Sequence, residues 1–412
     1  MNTYAIFILS AILIVYALNL WADILNLGML RDTLPEVFEH HYDGERYKKS
    51  QEYLGVTTRF GWFSSTFSLG ILLVFWFSKG FQSLDHVIRQ LGLGSVFTGI
   101  LFMGALIVLK SIVSLPFSIY NTFVIEEKFG FNKTTAKIFI TDMIKGIVLS
   151  VALGVPLLGL VLVFFEYAGP HAWLYCWITV VLFMLLLNYI IPTLIMPLFN
   201  RFTPIEEGEL KVAIMNYARS IDFPLTQVFT MDGSKRSNKS NAFFTGLGKN
   251  KRIVLYDTLI NQHTVPELVS ILAHEMGHYT LKHIIKSLAI GIIQTGVMFY
   301  ILSLCLTQKG LFEAFYMTHM SVYAGLIFFS LLFTPVDLMT GILMNMYSRK
   351  NEFEADRFAV KTGKDNQSLK NALIKLSVHS LGNLYPHPLF VLLNYSHPPI
   401  LKRIESIQAT PI

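Results

Sequence analysis

Seven long apolar stretches constrain the fold of this 412-residue chain more than any other feature of its sequence. Each is close to the roughly 20 residues that a helix needs to cross the hydrocarbon core of a bilayer. The composition agrees, because 53% of the residues are hydrophobic and only 15% are charged. Together these observations predict a polytopic membrane protein with about seven transmembrane helices. The stretches cover residues 4–25, 60–77, 96–117, 147–167, 173–198, 284–306 and 322–344.

The basic residues are divided unevenly between the two sides of the predicted membrane region. In the three connections on the side of the N-terminus, the only lysine and arginine residues are Lys79, Arg89 and Lys309. By the positive-inside rule, the N-terminus then faces the outside or a lumen, and the long connections face the cytosol. This topology and the attraction to anionic headgroups account for the net charge of +6, so the charge does not indicate nucleic-acid binding.

One predicted helix carries two histidines at metal-ligand spacing. Thr264, followed three positions later by Glu267, has the pattern of a capping box, so the helix is expected to begin there. His274 and His278 share one helical face, where Cβ atoms about 5–6 Å apart allow two imidazoles to bind one tetrahedral zinc. Glu275, one position off that face, can act as general base toward the attacking water. This HExxH pattern is typical of zinc peptidases.

An ordinary solvent-exposed helix is the alternative interpretation of this segment. The residues around the motif argue against it, because Leu272, Ala273 and Met276 make the segment apolar. Ionisable groups in an apolar setting need a partner, and a metal ion is such a partner.

A third protein ligand is expected downstream, because a catalytic zinc site uses three protein ligands and one open position. Glu352 and Asp356 are one helical turn apart, so one carboxylate can bind the metal while the other orients a ligating imidazole. Glu354 is the rival ligand, although no acidic residue follows it at the same spacing. The sequence favours Glu352 and leaves Glu354 open. A charged helix exposed to solvent, without a metal, is the remaining alternative.

The segment between the fifth and sixth stretches has the composition of a water-soluble domain. Residues 206–221 have helical periodicity, and short apolar runs at 226–231, 242–245 and 252–256 predict a small antiparallel sheet. A Gly-rich turn is expected at 246–250.

The strand within residues 240–246 is the candidate for binding an extended peptide substrate. Zinc peptidases usually bind such a substrate along a sheet edge through main-chain hydrogen bonds. Ala242 and Phe243 would then contact the substrate. An ordinary hairpin strand is the alternative.

Two later histidines receive different interpretations. Pro398 and Pro399 hold the chain extended after His397, which favours a fixed loop position from which the imidazole can donate to an oxyanion. A simple surface histidine is the alternative. His283 follows His278 by five residues, so we expect it to point to a different helical face and not to be a ligand.

These features resemble the integral-membrane zinc peptidases that include the CaaX prenyl protease. The ordered blocks that carry the resemblance are IEEKFGFNKTT, MPLFNRFTPIEEGEL, MDGSKRSNKSNAFFTG, IVLYDTLI, HEMGH, NEFEADRFA and NYSHPP. The resemblance implies a water-filled chamber between the helices, which would explain Lys110 within the third stretch. The residues that it implies are His274, His278 and Glu352 as zinc ligands, Glu275 as base, Asp356 and Arg403 as supports of the site, Asn241 in the substrate-binding strand and His397 as transition-state donor.

The predicted fold is mainly α, with about seven transmembrane helices and a gluzincin-like zinc peptidase domain that includes a small sheet. We expect four segments along the chain. They are 1–199 with membrane helices 1–5, 200–283 with the sheet and the HExxH helix, 284–345 with membrane helices 6 and 7, and 346–412 with the third zinc ligand.

The predicted function is that of a zinc metalloendopeptidase of the membrane. We expect a monomer with one Zn²⁺ that cleaves near the C-terminus of membrane-associated or prenylated CaaX-type substrates. The chain has no C-terminal retrieval signal for the endoplasmic reticulum, which favours a bacterial cytoplasmic membrane over the endoplasmic reticulum, with the active site toward the cytosol. The alternatives are a heat-shock-type quality-control metalloprotease, which normally has fewer spans, and a non-catalytic seven-span receptor or scaffold.

Overall fold

The computed structural model of the chain describes residues 1–31, 33–245 and 251–412. Most of these residues are helical. In chain order the longer helices are α1 (Thr3–Leu27), α2 (Gly44–Phe77), α3 (Gly80–Arg89), α4 (Ser95–Glu126), α5 (Ala136–Tyr167), α6 (Gly169–Phe199), α7 (Glu209–Ser220), α8 (Asp257–Gln262), α9 (Val265–Thr280), α10 (His283–Cys305), α11 (Lys309–Glu313), α12 (Val322–Leu332), α13 (Thr334–Gly363), α14 (Asn366–His379), α15 (Pro388–Asn394) and α16 (Ile400–Gln408).

Six helices in the described part of the chain are long and apolar enough to cross a bilayer. A seventh candidate arises when the bent pair of α12 and α13 is taken as one span. The predicted apolar stretches coincide with these helices, so the prediction of a mainly helical membrane fold is confirmed. The six helices are α1, α2, α4, α5, α6 and α10.

The bend between α12 and α13 directs one long helix out of the membrane region. The two helices meet at 57°, and Pro335 lies in the first turn of α13, where its missing N–H costs no helical hydrogen bond. At 1.5 Å per residue, the 30 residues of α13 span about 45 Å. The first half of α13 is apolar and its second half carries Glu352 and Asp356. The same helix therefore belongs to the membrane region and to the peptidase region.

The peptidase region has its own hydrophobic core between α7, the sheet, α9 and the second half of α13. Its fully buried side chains include Ile214 of α7, Ile253 of the sheet, Met276 of α9 and Val360 of α13. Burial of apolar surface contributes roughly 25 cal/mol per Å². This core fixes α9 against α13, which are the two helices that carry the predicted metal ligands.

The sheet has four strands, one more than predicted, and it is mixed. The strands β1 (Phe202–Pro204), β2 (Leu225–Met231), β3 (Ala242–Thr245) and β4 (Lys251–Tyr256) lie in the order β1-β2-β4-β3. The expectation of a purely antiparallel sheet was wrong, because β2 and β4 pair in parallel. The predicted Gly-rich turn at 246–250 lies outside the described residues. β3 pairs with β4 and is placed at the edge of the sheet.

The loop before β3 is tied to the connection between α4 and α5. The backbone N–H of Asn238 donates to the Phe131 carbonyl at 3.0 Å. Lys239 donates to Glu126 at 2.8 Å, and the same ammonium lies 4.4 Å from the centre of the Phe131 ring. These contacts fix the start of β3 relative to the membrane helices.

Candidate metal centre

Helix α9 begins at the predicted cap. The backbone N–H of Thr264 donates to Glu267 at 2.8 Å, and Lys375 of α14 donates to the same carboxylate at 2.7 Å. The prediction of a capping box is confirmed. The regular turns that follow place His274 and His278 on the side of α9 that faces α13, with their ring centres 4.8 Å apart.

Two imidazoles and one carboxylate converge between α9 and α13. The Nε2 atoms of His274 and His278 are 3.1 Å apart, and the Glu352 oxygens lie 3.4 Å from the first and 3.2 Å from the second. Ligands about 2.0–2.1 Å from one tetrahedral zinc are about 3.3 Å from each other. The spacing of the three side chains therefore fits a single divalent cation.

The environment of Glu352 also fits a cation. Its Oε2 atom is buried and accepts no hydrogen bond, although the Nη1 atom of Arg403 lies 3.3 Å away. Burial alone would raise the pKa of Glu352, but the polar contacts with His274 and His278 and the nearby Arg403 charge hold that pKa well below its usual value. A buried carboxylate that stays ionised needs positive charge nearby, and a bound metal ion would supply it.

His274 is oriented by a buried carboxylate. Its Nδ1 atom lies 2.8 Å from Asp356 Oδ1, and Arg403 donates to both Asp356 oxygens at 2.8 and 2.7 Å. Burial opposes ionisation of Asp356, but the Arg403 guanidinium and the His274 hydrogen bond hold its pKa below the ordinary value. With Nδ1 donating to Asp356, the lone pair of Nε2 faces the other two candidate ligands.

Glu275 and His397, the two other predicted catalytic residues, differ in how far their side chains are exposed to solvent. Glu275 is half-buried on α9, and burial raises its pKa. His397 has 65% of its side chain exposed, yet its Nε2 atom is 3.4 Å from a Glu352 oxygen. Glu275 is therefore a half-buried carboxyl group beside the candidate ligands, and His397 is an exposed imidazole within reach of Glu352.

The predicted substrate strand lies next to the helix that carries the two candidate histidine ligands. β3 packs beside α9, and the backbone N–H of Tyr256 donates to the Asn241 carbonyl at 3.1 Å. The side chain of Asn241 accepts from the backbone N–H of Ala242 at 2.8 Å. Phe243 contacts Tyr256 edge to face, with ring centres 6.4 Å apart.

The sequence interpretation missed the position of His283. It assumed one continuous helix, but α9 ends at Thr280 and α10 begins at His283, after Lys282 with a left-handed φ of 59°. This break returns His283 to the site, where its Nδ1 atom is 3.0 Å from Nδ1 of His278. Its Nε2 atom is 3.1 Å from Glu354, the residue left open as a rival ligand. The left-handed residue that causes this arrangement has no distinct sequence pattern.

A His-His-Glu cluster with a half-buried carboxyl group beside it, in a chain with six candidate membrane helices, is the arrangement expected of a membrane metallopeptidase. Comparison with known families assigns the chain more closely. Residues 204–411 match peptidase family M48, and residues 23–201 match the N-terminal region of CAAX prenyl proteases, described as five membrane helices. The chain belongs to family M48 and is a metalloprotease.

Individual relatives extend over almost the whole chain. A CAAX prenyl protease 1 homolog of Arabidopsis thaliana is 36% identical, over 97% of this chain and 96% of the relative. CAAX prenyl protease 1 of Saccharomyces cerevisiae is 35% identical, over 91% and 88% of the two chains. The crystal structure of S. mikatae Ste24p superimposes with a TM-score of 0.94, at 34% identity and over 99% of both chains. The resemblance drawn from the sequence blocks is confirmed.

Proposed function

We propose that the metal is zinc, with one ion per chain, and that His274, His278 and Glu352 are its ligands. The single observation that carries the proposal is the mutual spacing of 3.1 to 3.4 Å between their nitrogen and oxygen atoms. Two imidazoles with one carboxylate are also the ligand set of several catalytic zinc sites. Asp356 and Arg403 support the site by holding the His274 ring.

The proposed reaction is hydrolysis of a peptide bond. When bound, zinc supplies Lewis acidity for the scissile carbonyl and lowers the pKa of water to about 7. Glu275 takes a proton from the attacking water and returns it to the leaving amine, a double role that suits a carboxylate whose pKa burial has raised. His397 donates an N–H to the oxyanion that develops on the attacked carbonyl.

The proposed substrates are membrane-associated or prenylated proteins of the CaaX type, cleaved near the C-terminus. The names of the relatives support this class, since they are called CAAX prenyl proteases. The edge position of β3 supports an extended substrate bound along Asn241, Ala242 and Phe243. The match over residues 23–201 favours this activity over that of a heat-shock-type membrane protease.

The proposed arrangement in the cell follows from charge asymmetry. We place the peptidase region on the cytosolic side of the bilayer. We also propose that the protein is a monomer. The choice of a bacterial cytoplasmic membrane over the endoplasmic reticulum stays a prediction. We propose the same division of the chain into two membrane segments, 1–199 and 284–345, and two peptidase segments, 200–283 and 346–412. The proposed site residues all come from the two peptidase segments.

The test compares the purified protein with its Glu275→Gln variant. Metal analysis should give about one zinc per chain for both, because Gln at this position leaves all three ligands in place. Cleavage of a farnesylated CaaX peptide should fall by about 10²- to 10⁴-fold in the variant, the usual loss when an acid-base group is removed. A chelator should abolish cleavage by the wild type.

Glu405→Gln is the matched control, because Glu405 is an exposed carboxylate of α16 that pairs with Lys402. Its turnover should equal that of the wild type. Unchanged turnover in Glu275→Gln would contradict the assignment of the base. Absence of zinc from the active wild type would contradict the metal site, and cleavage that ignores the farnesyl group and the C-terminal sequence would contradict the substrate class.

A further inference from the structure

The second ligand histidine has a polar contact that the catalytic scheme above does not use. His278 Nδ1 lies 3.0 Å from His283 Nδ1, and His283 Nε2 lies 3.1 Å from a Glu354 oxygen. His283 is buried, with 3% of its surface exposed, whereas 30% of the Glu354 side chain is exposed. The three side chains form a continuous hydrogen-bonded chain that leads from the metal centre toward solvent.

The proton positions along this chain follow from the need for a free lone pair at the metal. If His278 presents Nε2 to the metal, its proton is on Nδ1, which then donates to His283 Nδ1. His283 therefore carries its own proton on Nε2 and donates it to the Glu354 carboxylate. Both rings are neutral in this arrangement, and each of their four nitrogens has one role.

We propose that His283 and Glu354, named here the His283–Glu354 relay, are positioning residues for His278. This inference rests on the zinc site proposed above. The relay fixes the tautomer and the ring plane of His278 in the way that a carboxylate in direct contact does for many metal-binding histidines. It also makes the Nε2 atom of His278 a stronger electron-pair donor to the metal, because the negative charge of Glu354 polarises the two hydrogen bonds of the relay.

The same geometry argues against His283 as a fourth metal ligand. Its Nδ1 contacts His278 on Nδ1, which is the edge of the ring that points away from the candidate metal position. The Nε2 atom of His283 is directed at Glu354. Both nitrogens of His283 are thus engaged outside the ligand cluster.

The test measures zinc affinity of the full-length chain in detergent by competition with a chelator. His283→Leu removes both hydrogen bonds at similar volume, and we expect zinc binding to weaken about 10- to 100-fold, as for other residues that orient a ligand. In His283→Gln the amide oxygen can accept from His278 and the amide nitrogen can donate to Glu354, so most of the affinity should return. The visible spectrum of the Co²⁺-substituted protein should change in the Leu variant and return toward that of the wild type in the Gln variant.

His263→Leu is the matched control, because His263 is a buried histidine of the same region whose nitrogens lie 3.1 and 3.4 Å from the backbone carbonyls of Leu259 and Ala372. It should lower thermal stability without changing zinc affinity or the cobalt spectrum. Wild-type zinc affinity and an unchanged spectrum in His283→Leu would overturn the relay. Equal losses in His283→Leu, His283→Gln and His263→Leu would also overturn it, since the cause would then be general loss of packing.

Two further outcomes separate the relay from the proposed function. If the wild type binds no zinc, the proposed function fails and the relay fails with it, whereas unaltered zinc binding in His283→Leu rejects the relay alone. If His283→Leu does not fold, Glu354→Leu removes the outer end of the relay at a partly exposed position. Zinc affinity should weaken in that variant too, and wild-type affinity there would overturn the proposal.

Discussion

The two histidines of α9 are supported in different ways, although they lie one turn apart on the same helix. His274 contacts a carboxylate directly, and this residue, Asp356, has only 1% of its side chain exposed. The Nδ1 atom of His278, which faces away from the candidate metal position, reaches a carboxylate only through His283, and that carboxylate, Glu354, is 30% exposed. One imidazole is therefore held from the protein interior and the other from the edge of the site.

This difference indicates which of the two supporting carboxylates contributes to folding stability as well as to metal binding. Asp356 and Arg403 form a buried ion pair, and removing one partner of such a pair leaves a charge without compensation. The Glu354 carboxylate is partly exposed to water, so removal of its charge should change the free energy of unfolding little. Changes at Asp356 should therefore affect stability and metal affinity together, whereas changes at Glu354 should affect metal affinity alone.

The largest effect is expected for Asp356→Ala, which removes the buried carboxylate that contacts His274. The buried Arg403 guanidinium would lose both hydrogen bonds to Asp356 and keep only Glu352 as an acidic neighbour, so the free energy of unfolding should fall by about 3 kcal/mol. Zinc affinity should fall by about 10- to 100-fold as well, because the His274 ring loses its anchor. Denaturant unfolding and chelator competition on the same preparation measure the two quantities.

The double variant Asp356→Leu with Arg403→Met separates these two losses. Replacement of both partners of a buried ion pair by apolar residues is often neutral for stability, so the folded state should recover while zinc affinity stays low. Recovery of zinc affinity together with stability would show that Asp356 acts only through folding, and the comparison would lose its basis.

An intermediate effect is expected on removal of the metal. Zinc that binds the folded chain stabilises it by about 2.7 kcal/mol when its free concentration is 100 times the Kd. The apparent Tm should therefore fall when a chelator is added, while the helical circular dichroism is retained, because the core between α9 and α13 does not depend on the ion. The fall should be smaller in His283→Leu, for which we expect weaker zinc binding, and an equal fall in both proteins would contradict that expectation.

Local patterns in the sequence were sufficient for much of this structure. Hydropathy located the membrane helices, and Thr264 with Glu267 located the start of α9, because both signals depend on neighbouring residues alone. The spacing of His274 and His278 follows directly from helical geometry. The ligand roles themselves stay predictions.

The remaining features depend on contacts between distant parts of the chain. Glu352 and Glu354 are separated by about 200° around α13, so packing decides which of them faces α9, and the sequence left the choice open. The parallel pairing of β2 with β4 is equally non-local. His283 was misplaced because a single left-handed residue, Lys282, ends one helix and turns the next. Sequence periodicity assumes a continuous helix and does not detect such a break.

The smallest effect is expected for Glu354→Gln, which sharpens the exposed side of the comparison. The amide oxygen still accepts from His283, so the hydrogen bond stays and only the charge is lost, and zinc affinity should fall by about twofold to fivefold, since exposed charges contribute about 0–1 kcal/mol. Stability should not change. In the His283→Leu background the same substitution should have no further effect on zinc affinity, because residues that act through one another are not additive. Additive losses in this double-mutant cycle would mean that Glu354 acts on the metal through space and not through His283.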